Sequence, residues 1–352
     1  MMPRAKKPKT VKLRSNPWHH MKFEKVKKFY VERQNRMIKI DLITGFLGSG
    51  KTTFLKSYAR YLLDKGLNIG ILENDFGAVN VDMMLLKDLE EEHCELEMIS
   101  GGCCQDAHRR RFKTKLIAMG MCGYDRVLVE PSGIYDVEEF FDTLTEEPLD
   151  RWYEAGSVIA IVDAGLPEKM SEDADYLLAS EIACAGTIVF SRAQETDESE
   201  IQKTKEHIRR ALEKAGCQRD VEKDTLIKNW KELKEADFQQ IQANGYHRES
   251  CGRPAGDGKA AFDSLSFLNL NLTEEQLREK AGTLFQSLEY GRVWRIKGFL
   301  QNQNGGWLEC NATEKEMRTA PIQEGQQVVI VIGEGLNREK IQEVLENSAS
   351  PC

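Results

Sequence analysis

Gly45-Phe46-Leu47-Gly48-Ser49-Gly50-Lys51-Thr52 decides the fold class of this 352-residue chain. It fits G-x-x-x-x-G-K-[ST], and it stands where that motif must stand, between a strand and a helix. Met37 to Thr44 alternates into a short apolar strand, and Thr52 to Lys65 has helical character and ends at Gly66, a C-cap candidate. Each part of the motif has a physical task. Gly45, Gly48 and Gly50 let successive backbone N–H groups, with those of Ser49 and Thr53, turn inward around phosphate oxygens. The helix N-terminus adds positive potential. Lys51 reaches the terminal phosphates, and the Thr52 hydroxyl can ligate Mg²⁺.

Outward from this loop, strand candidates recur at 68–73, 95–99, 125–130, 157–163 and 187–191, with helical periods at 107–119, 137–144, 174–182 and 198–215. Strands that alternate with helices predict an α/β fold, a mostly parallel sheet covered by helices on both faces, of the P-loop NTPase type. The polar, Gly-rich run 246–261 reads as a linker. After it come a strand (262–272), a helix (273–288), strands at 292–301, 307–311 and 326–332, and a last helix (337–345), a small α+β domain. The expected organisation is a basic N-terminal extension over 1–36, a P-loop domain over 37–245, the linker, and a C-terminal α+β domain over 262–346.

Arg126-Val-Leu-Val-Glu130-Pro-Ser-Gly133 is an apolar strand that delivers an acid at its end and a glycine three residues later. Beside a P-loop, Glu130 would stand near Mg²⁺ and the attacking water, and the Gly133 N–H near the γ-phosphate. Glu73-Asn74-Asp75-Phe76-Gly77 follows the second strand candidate, and Asp75, ahead of Asp82, is the carboxylate expected to close over Mg²⁺. Lys51, Asp75, Glu130 and Gly133 are thus the candidate catalytic set.

Composition narrows the class further. With 41% hydrophobic and 30% charged residues the chain can bury a core, and no apolar run approaches the roughly 18 residues of a membrane span. The net charge of -8 hides an asymmetry, because residues 1–36 carry 12 Lys or Arg against 2 Glu. This arm lacks the apolar segment of a secretion signal and the Arg and Ser bias of a mitochondrial one. Its scattered aromatics (Trp18, Phe23, Phe29, Tyr30) make no nucleic-acid module. Nine cysteines, an odd number with one close cluster, fit a reducing, cytoplasmic setting.

The ordered blocks Gly45 to Thr53, Glu-Asn-Asp-Phe-Gly77, Ser100-Gly-Gly-Cys103 and Val129-Glu-Pro-Ser-Gly133 resemble the CobW-like branch of the P-loop GTPases, which includes HypB, UreG and MeaB. Gly291-Arg-Val-Trp-Arg-Ile-Lys-Gly298-Phe, followed by Gly306-Trp307, is similar to the CobW C-terminal domain. The resemblance spans about residues 38–346. It implies a GTPase that handles or delivers a metal ion to a client metalloprotein, with the C-terminal domain acting in partner or cargo recognition.

Two motifs depart from that pattern. The family's G-C-x-C-C binds Zn²⁺ or a similar ion through soft thiolates. This chain reads Gly102-Cys103-Cys104-Gln105-Asp106, so Cys103 and Asp106 are the remaining transition-metal candidates. His93, Cys94 and His108 are nearby in sequence as replacement ligands. The Asn-Lys-x-Asp that reads guanine is replaced by Ser191-Arg192-Ala193-Gln194. Ser191, Arg192 and Gln194 remain base-site candidates, with Arg192 able to cover the base plane. Loss of the charged acceptor weakens the preference for guanine by a factor on the order of ten to a hundred, at about 1.5–3 kcal/mol for a hydrogen bond to a charged group. GTP is the implied nucleotide, ATP stays open, and Mg²⁺ is the implied cofactor. The rival readings are a nucleotide-regulated binding protein without metal delivery and a small-molecule kinase. The only compact Arg cluster a kinase lid could use, Arg109-Arg110-Arg111, would spread around a helix.

Overall fold

The computed structural model describes residues 37–352 apart from 75–84, 91, 100–104, 250, 253–261, 302–304, 323–324 and 348–352, with backbone alone at 105 and 106. The chain parts at Met37/Ile38, and everything described here, save Met37, belongs to the second unit, Ile38–Cys352.

The first layer system is a seven-stranded parallel sheet in the order β3-β2-β4-β1-β5-β6-β7. Its strands are β1 (Ile38–Thr44), β2 (Ile69–Asn74), β3 (Cys94–Ile99), β4 (Arg126–Pro131), β5 (Tyr153–Asp163), β6 (Thr187–Ser191) and β7 (Thr225–Ile227). Helices α1 (Lys51–Asp64), α2 (Gln105–Gly120), α3 (Val137–Leu144), α4 (Leu149–Trp152), α5 (Glu172–Cys184), α6 (Glu198–Lys214) and α7 (Glu235–Asn244) connect and cover it. Alternation along β1 divides the core. Ile40 and Leu42 pack with residues of α2, α3, α5 and α6, whereas Ile43 packs with α1 and α7 on the other face. A sheet buried on both sides needs near-continuous apolar strands, which β2 and β4 supply with every residue buried. The one buried charge of β1, Asp41, is fully paired. It accepts from Arg126 Nη1 at 2.5 Å, Tyr58 Oη at 2.9 Å and the Ser157 N–H at 2.7 Å.

The second system is a separate antiparallel sheet, β11-β10-β9-β12-β8. It is formed by β8 (Phe262–Leu268), β9 (Arg292–Gln301), β10 (Trp307–Ala312), β11 (Met317–Ile322) and β12 (Val328–Glu334). Helices α8 (Glu274–Gln286) and α9 (Arg338–Glu346) cover one face through Leu277, Leu284, Ile341 and Leu345. The other face carries Phe299, Val328, Ile330 and Ile332, and Leu47 of the phosphate loop packs there.

The expected fold class is the observed one. Three local details add to it. Where it is described, the 246–261 run is tied to its surroundings: Tyr246 bridges Ala185, His247 N–H donates to Cys184 O, and Gly252 N–H donates to Ala215 O. Strand β11, unassigned from sequence, is an edge strand that includes Pro321, and Pro is confined to such positions. The segment 225–244, unassigned from sequence, holds β7 and α7.

Candidate functional site

All parallel strands end at one edge, and the loop Gly45–Gly50 leaves β1 there, between β4 and β5. Gly50 adopts φ +101° before α1, a conformation an L side chain rarely takes. Lys51 opens the helix buried, and its Nζ donates to Gly45 O at 2.7 Å, curling the loop around its own lysine. Burial lowers the Lys51 pKa, and the charges of Arg295 and Lys297 act the same way against the carboxylates of Glu130 and Glu181. Ser49 Oγ is buried and finds no hydrogen-bond partner among the described residues.

Thr52 Oγ1 donates to Glu130 Oε1 at 2.8 Å, so the two oxygens expected at Mg²⁺ are in contact. Glu130 itself is buried at the end of β4. Hard oxygen donors of this kind suit Mg²⁺, and the orphaned Ser49 hydroxyl suits a phosphate oxygen. Gly133 is buried against the loop: a Cβ there would lie 2.7 Å from Leu47 N and 2.9 Å from Leu47 Cα. Any side chain at 133 would therefore push on the Phe46–Leu47 backbone. Thr53 is exposed on the first turn of α1.

At the other rim, Ser191 is buried and its hydroxyl donates to Val162 O at 3.4 Å. Arg192 (φ 56°) does not lie free over a base plane. Its guanidinium is paired with Asp163, donates to Gly48 O at 3.0 Å, and approaches Glu316 at 3.8 Å. These contacts brace the base loop against β5, the phosphate loop and the C-terminal domain. Gln194 is exposed and bonded only to its neighbour Glu195 among the described residues, at 3.2 Å.

Asp75, Asp82 and Cys103 lie outside the described residues, and Asp106 is placed only as backbone in α2. His93 and Cys94 stand at the start of β3, about 16 Å along the strand from its end at Ile99 at about 3.3 Å per residue. His108 is buried, and desolvation holds its pKa down to about 4, so its ring is neutral at neutral pH. Arg109 pairs with Glu146 at 2.7 Å while Arg110 and Arg111 are exposed, which is the spread expected on a helix.

Sequence reasoning missed Glu181 and Trp230. Glu181 is buried on α5, accepts from Thr44 Oγ1 at 3.3 Å, and desolvation raises its carboxyl pKa to about 8. A lone acid inside the apolar run Tyr176–Cys184 was the available signal. Trp230 follows β7; its indole N–H donates to Phe190 O at 3.0 Å, and its ring edge lies 3.2 Å from where a Gly50 Cβ would stand. It forms a wall beside the loop that nothing in the local sequence announced.

Residues 39–218 match the CobW/HypB/UreG nucleotide-binding domain. The chain is 30% identical over 174 residues to the zinc chaperone YjiA of Escherichia coli, covering 46% of this chain and 52% of that protein. It is 32% identical over 163 residues to the zinc chaperone YeiR of Escherichia coli, covering 46% and 48%. The chain thus spans about half the length of the curated relatives it matches. Among solved structures, the Zn(II)-bound YjiA GTPase of E. coli aligns over 88% of this chain and 98% of its own, at 19% identity and a TM-score of 0.37.

Proposed function

Because the chain belongs to the CobW/HypB/UreG family, we propose that it is a Mg²⁺-dependent GTPase that delivers a transition metal of the zinc type to a client metalloprotein. The observation that carries the hydrolytic part is the contact of Thr52 with Glu130 beside a buried P-loop lysine. Thr52 and Glu130, joined by Asp75, would hold Mg²⁺, which supplies charge neutralisation at the phosphates. Ser49 and the loop amides bind phosphate oxygens, Lys51 binds the terminal phosphates, and Gly133 reads the γ-phosphate through its N–H. Cys103, with Asp106, is the proposed contact for the metal cargo. The residues from Gly45 to Gly133 act mainly by positioning, so intrinsic turnover is slow until a partner or metal completes the site.

Phosphate release from GTP by the full chain, with and without Zn²⁺, tests this reading. Lys51→Ala should lower it by on the order of 10²-fold or more, since one preorganised donor to developing charge is worth that much. A Lys51→Ala protein with wild-type turnover would sink the assignment. A second reading, a nucleotide-regulated binding protein with relaxed GTP/ATP specificity, draws on the exposed Gln194 and the braced Arg192. Zinc affinity that ignores both nucleotide and Cys103 would favour it.

A further inference from the structure

The C-terminal sheet turns one face to the phosphate loop, and alternation fixes which side chains it presents. On β9 these are Arg295, Lys297 and Phe299, because Gly298 backs onto Leu277 of α8 on the opposite face. Phe299 and its neighbours Val328 and Ile330 receive Leu47. Trp294, in the irregular stretch where the β9–β12 register shifts, meets Phe46 edge-on at 5.4 Å. Arg295 and Lys297 stand between these anchors in the chain, and their charges are felt at the Lys51 ammonium. The same Phe46–Leu47 backbone is what Gly133 abuts from the other side. The C-terminal strand and the proposed γ-phosphate reader therefore meet at one point of the loop.

Arg295 is also prepared for an anion. Asn311, its neighbour on β10, accepts from Arg295 Nε at 3.0 Å and fixes the head group. The two Nη nitrogens make no hydrogen bond or ion pair with another described residue, and the side chain is half-buried. Lys297 is buried and has a contact of its own. Lys51, Arg295 and Lys297 thus act on one another at this loop, with Glu130 and Glu181 opposing them, and a polyanion bound there would meet all three cations.

We propose that Arg295, from the C-terminal domain, is a catalytic residue of nucleotide hydrolysis that places its guanidinium fork on the transferring γ-phosphoryl group in cis. In that step the water oxygen bonds to the γ-phosphorus and the bond to the β–γ bridging oxygen breaks, its electron pair leaving with GDP. Inorganic phosphate and one released proton complete the balance. A planar cation with two free N–H pairs stabilises charge on the equatorial and bridging oxygens, and such arginines are worth roughly 10³–10⁵ in turnover where measured. The C-terminal domain would then be a built-in activator, and its seating on Leu47 would set the hydrolysis rate.

The proposal rests on the GTPase reading above, and the experiment separates the two. In the full chain, Arg295→Ala, Arg295→Lys and Asn311→Ala would be compared with wild type for GDP affinity, for binding of GDP with aluminium fluoride, and for single-turnover GTP hydrolysis. Expected are GDP affinity within about 2-fold, hydrolysis slowed by on the order of 10²-fold or more in Arg295→Ala, and loss of the extra affinity conferred by aluminium fluoride. Arg295→Lys should recover part of the rate and Asn311→Ala lose several-fold. Arg295→Ala hydrolysis within 3-fold of wild type overturns the proposal alone, as does an equal loss of GDP affinity and rate. A wild-type chain that neither binds nor hydrolyses GTP overturns both readings.

Discussion

The phosphate end and the base end of the candidate site are only a few residues' width apart, yet they are built by different rules. At the phosphate end, backbone conformation does the work: Gly50 at φ +101°, Lys51 Nζ on Gly45 O, and Gly133 wedged on Leu47 N. At the base end, side-chain charge does it: Arg192 with Asp163 and Glu316, then Arg318 with Glu316 at 2.7 Å and with Glu195. The first kind of site tolerates no added atoms. The second can be rewired, since its members are half-buried or exposed and solvent screens them.

The sharpest way to break that contrast is Gly133→Ala. A methyl 2.7 Å from a backbone nitrogen must displace the loop or the strand end, and hydrolysis should fall by on the order of 10²-fold, the cost of misplacing one donor to developing charge. Single-turnover phosphate release at the wild-type rate would show that the phosphate end is softer than argued.

At the base end, Gln194→Asp restores a charged acceptor on an exposed position. GTP should gain over ATP by roughly 10-fold in a competition titration, from about 1.5 kcal/mol or more per charge-assisted bond. An unchanged ratio would place the base elsewhere.

Glu181 lies under the phosphate end and gives a pH test. Its folded pKa is raised to about 8 from the usual 4.5, chiefly by desolvation. The folded state then holds a proton that the unfolded state releases, so this group lowers stability as pH rises from about 4.5 to about 8. Glu181→Gln should therefore melt higher than wild type at pH 8, with the gap closing toward pH 4. A gap that widens toward acid would reverse the sign assigned to the carboxyl.

Arg318→Ala should do least. Its pairs with Glu195 and Glu316 are exposed, and such pairs contribute about 0.2–1 kcal/mol. Thermal melts should move by about 4 °C or less, and a larger drop would mean the interdomain charge chain acts as a unit.

Legibility followed locality. The P-loop, the β4 acid and most strands and helices were readable because each is signalled within a short window. Weak or context-dependent elements were not. Strand β11 is an exposed edge carrying Pro321, and α7 buries only Phe238 and Ile241, too few to mark a helical period. Glu181 and Trp230 joined the site unannounced, since nothing in their neighbourhoods says which loop they will face. The partners that brace Arg192, Asp163 and Gly48, were not readable for the same reason.

The sequence by itself determined the phosphate end, because eight consecutive residues dictate the turn, the lysine and the helix start. It also determined the α/β class, through strands and helices that alternate. Only the tertiary structure decided what encloses that loop. Arg192 reaches Gly48 across 144 positions and Lys315 reaches Gly165 across 150. Such contacts depend on strand order within a sheet and on how two sheets pack rather than on any local preference, because a side chain's neighbours are set by the fold once chain separation exceeds a few turns.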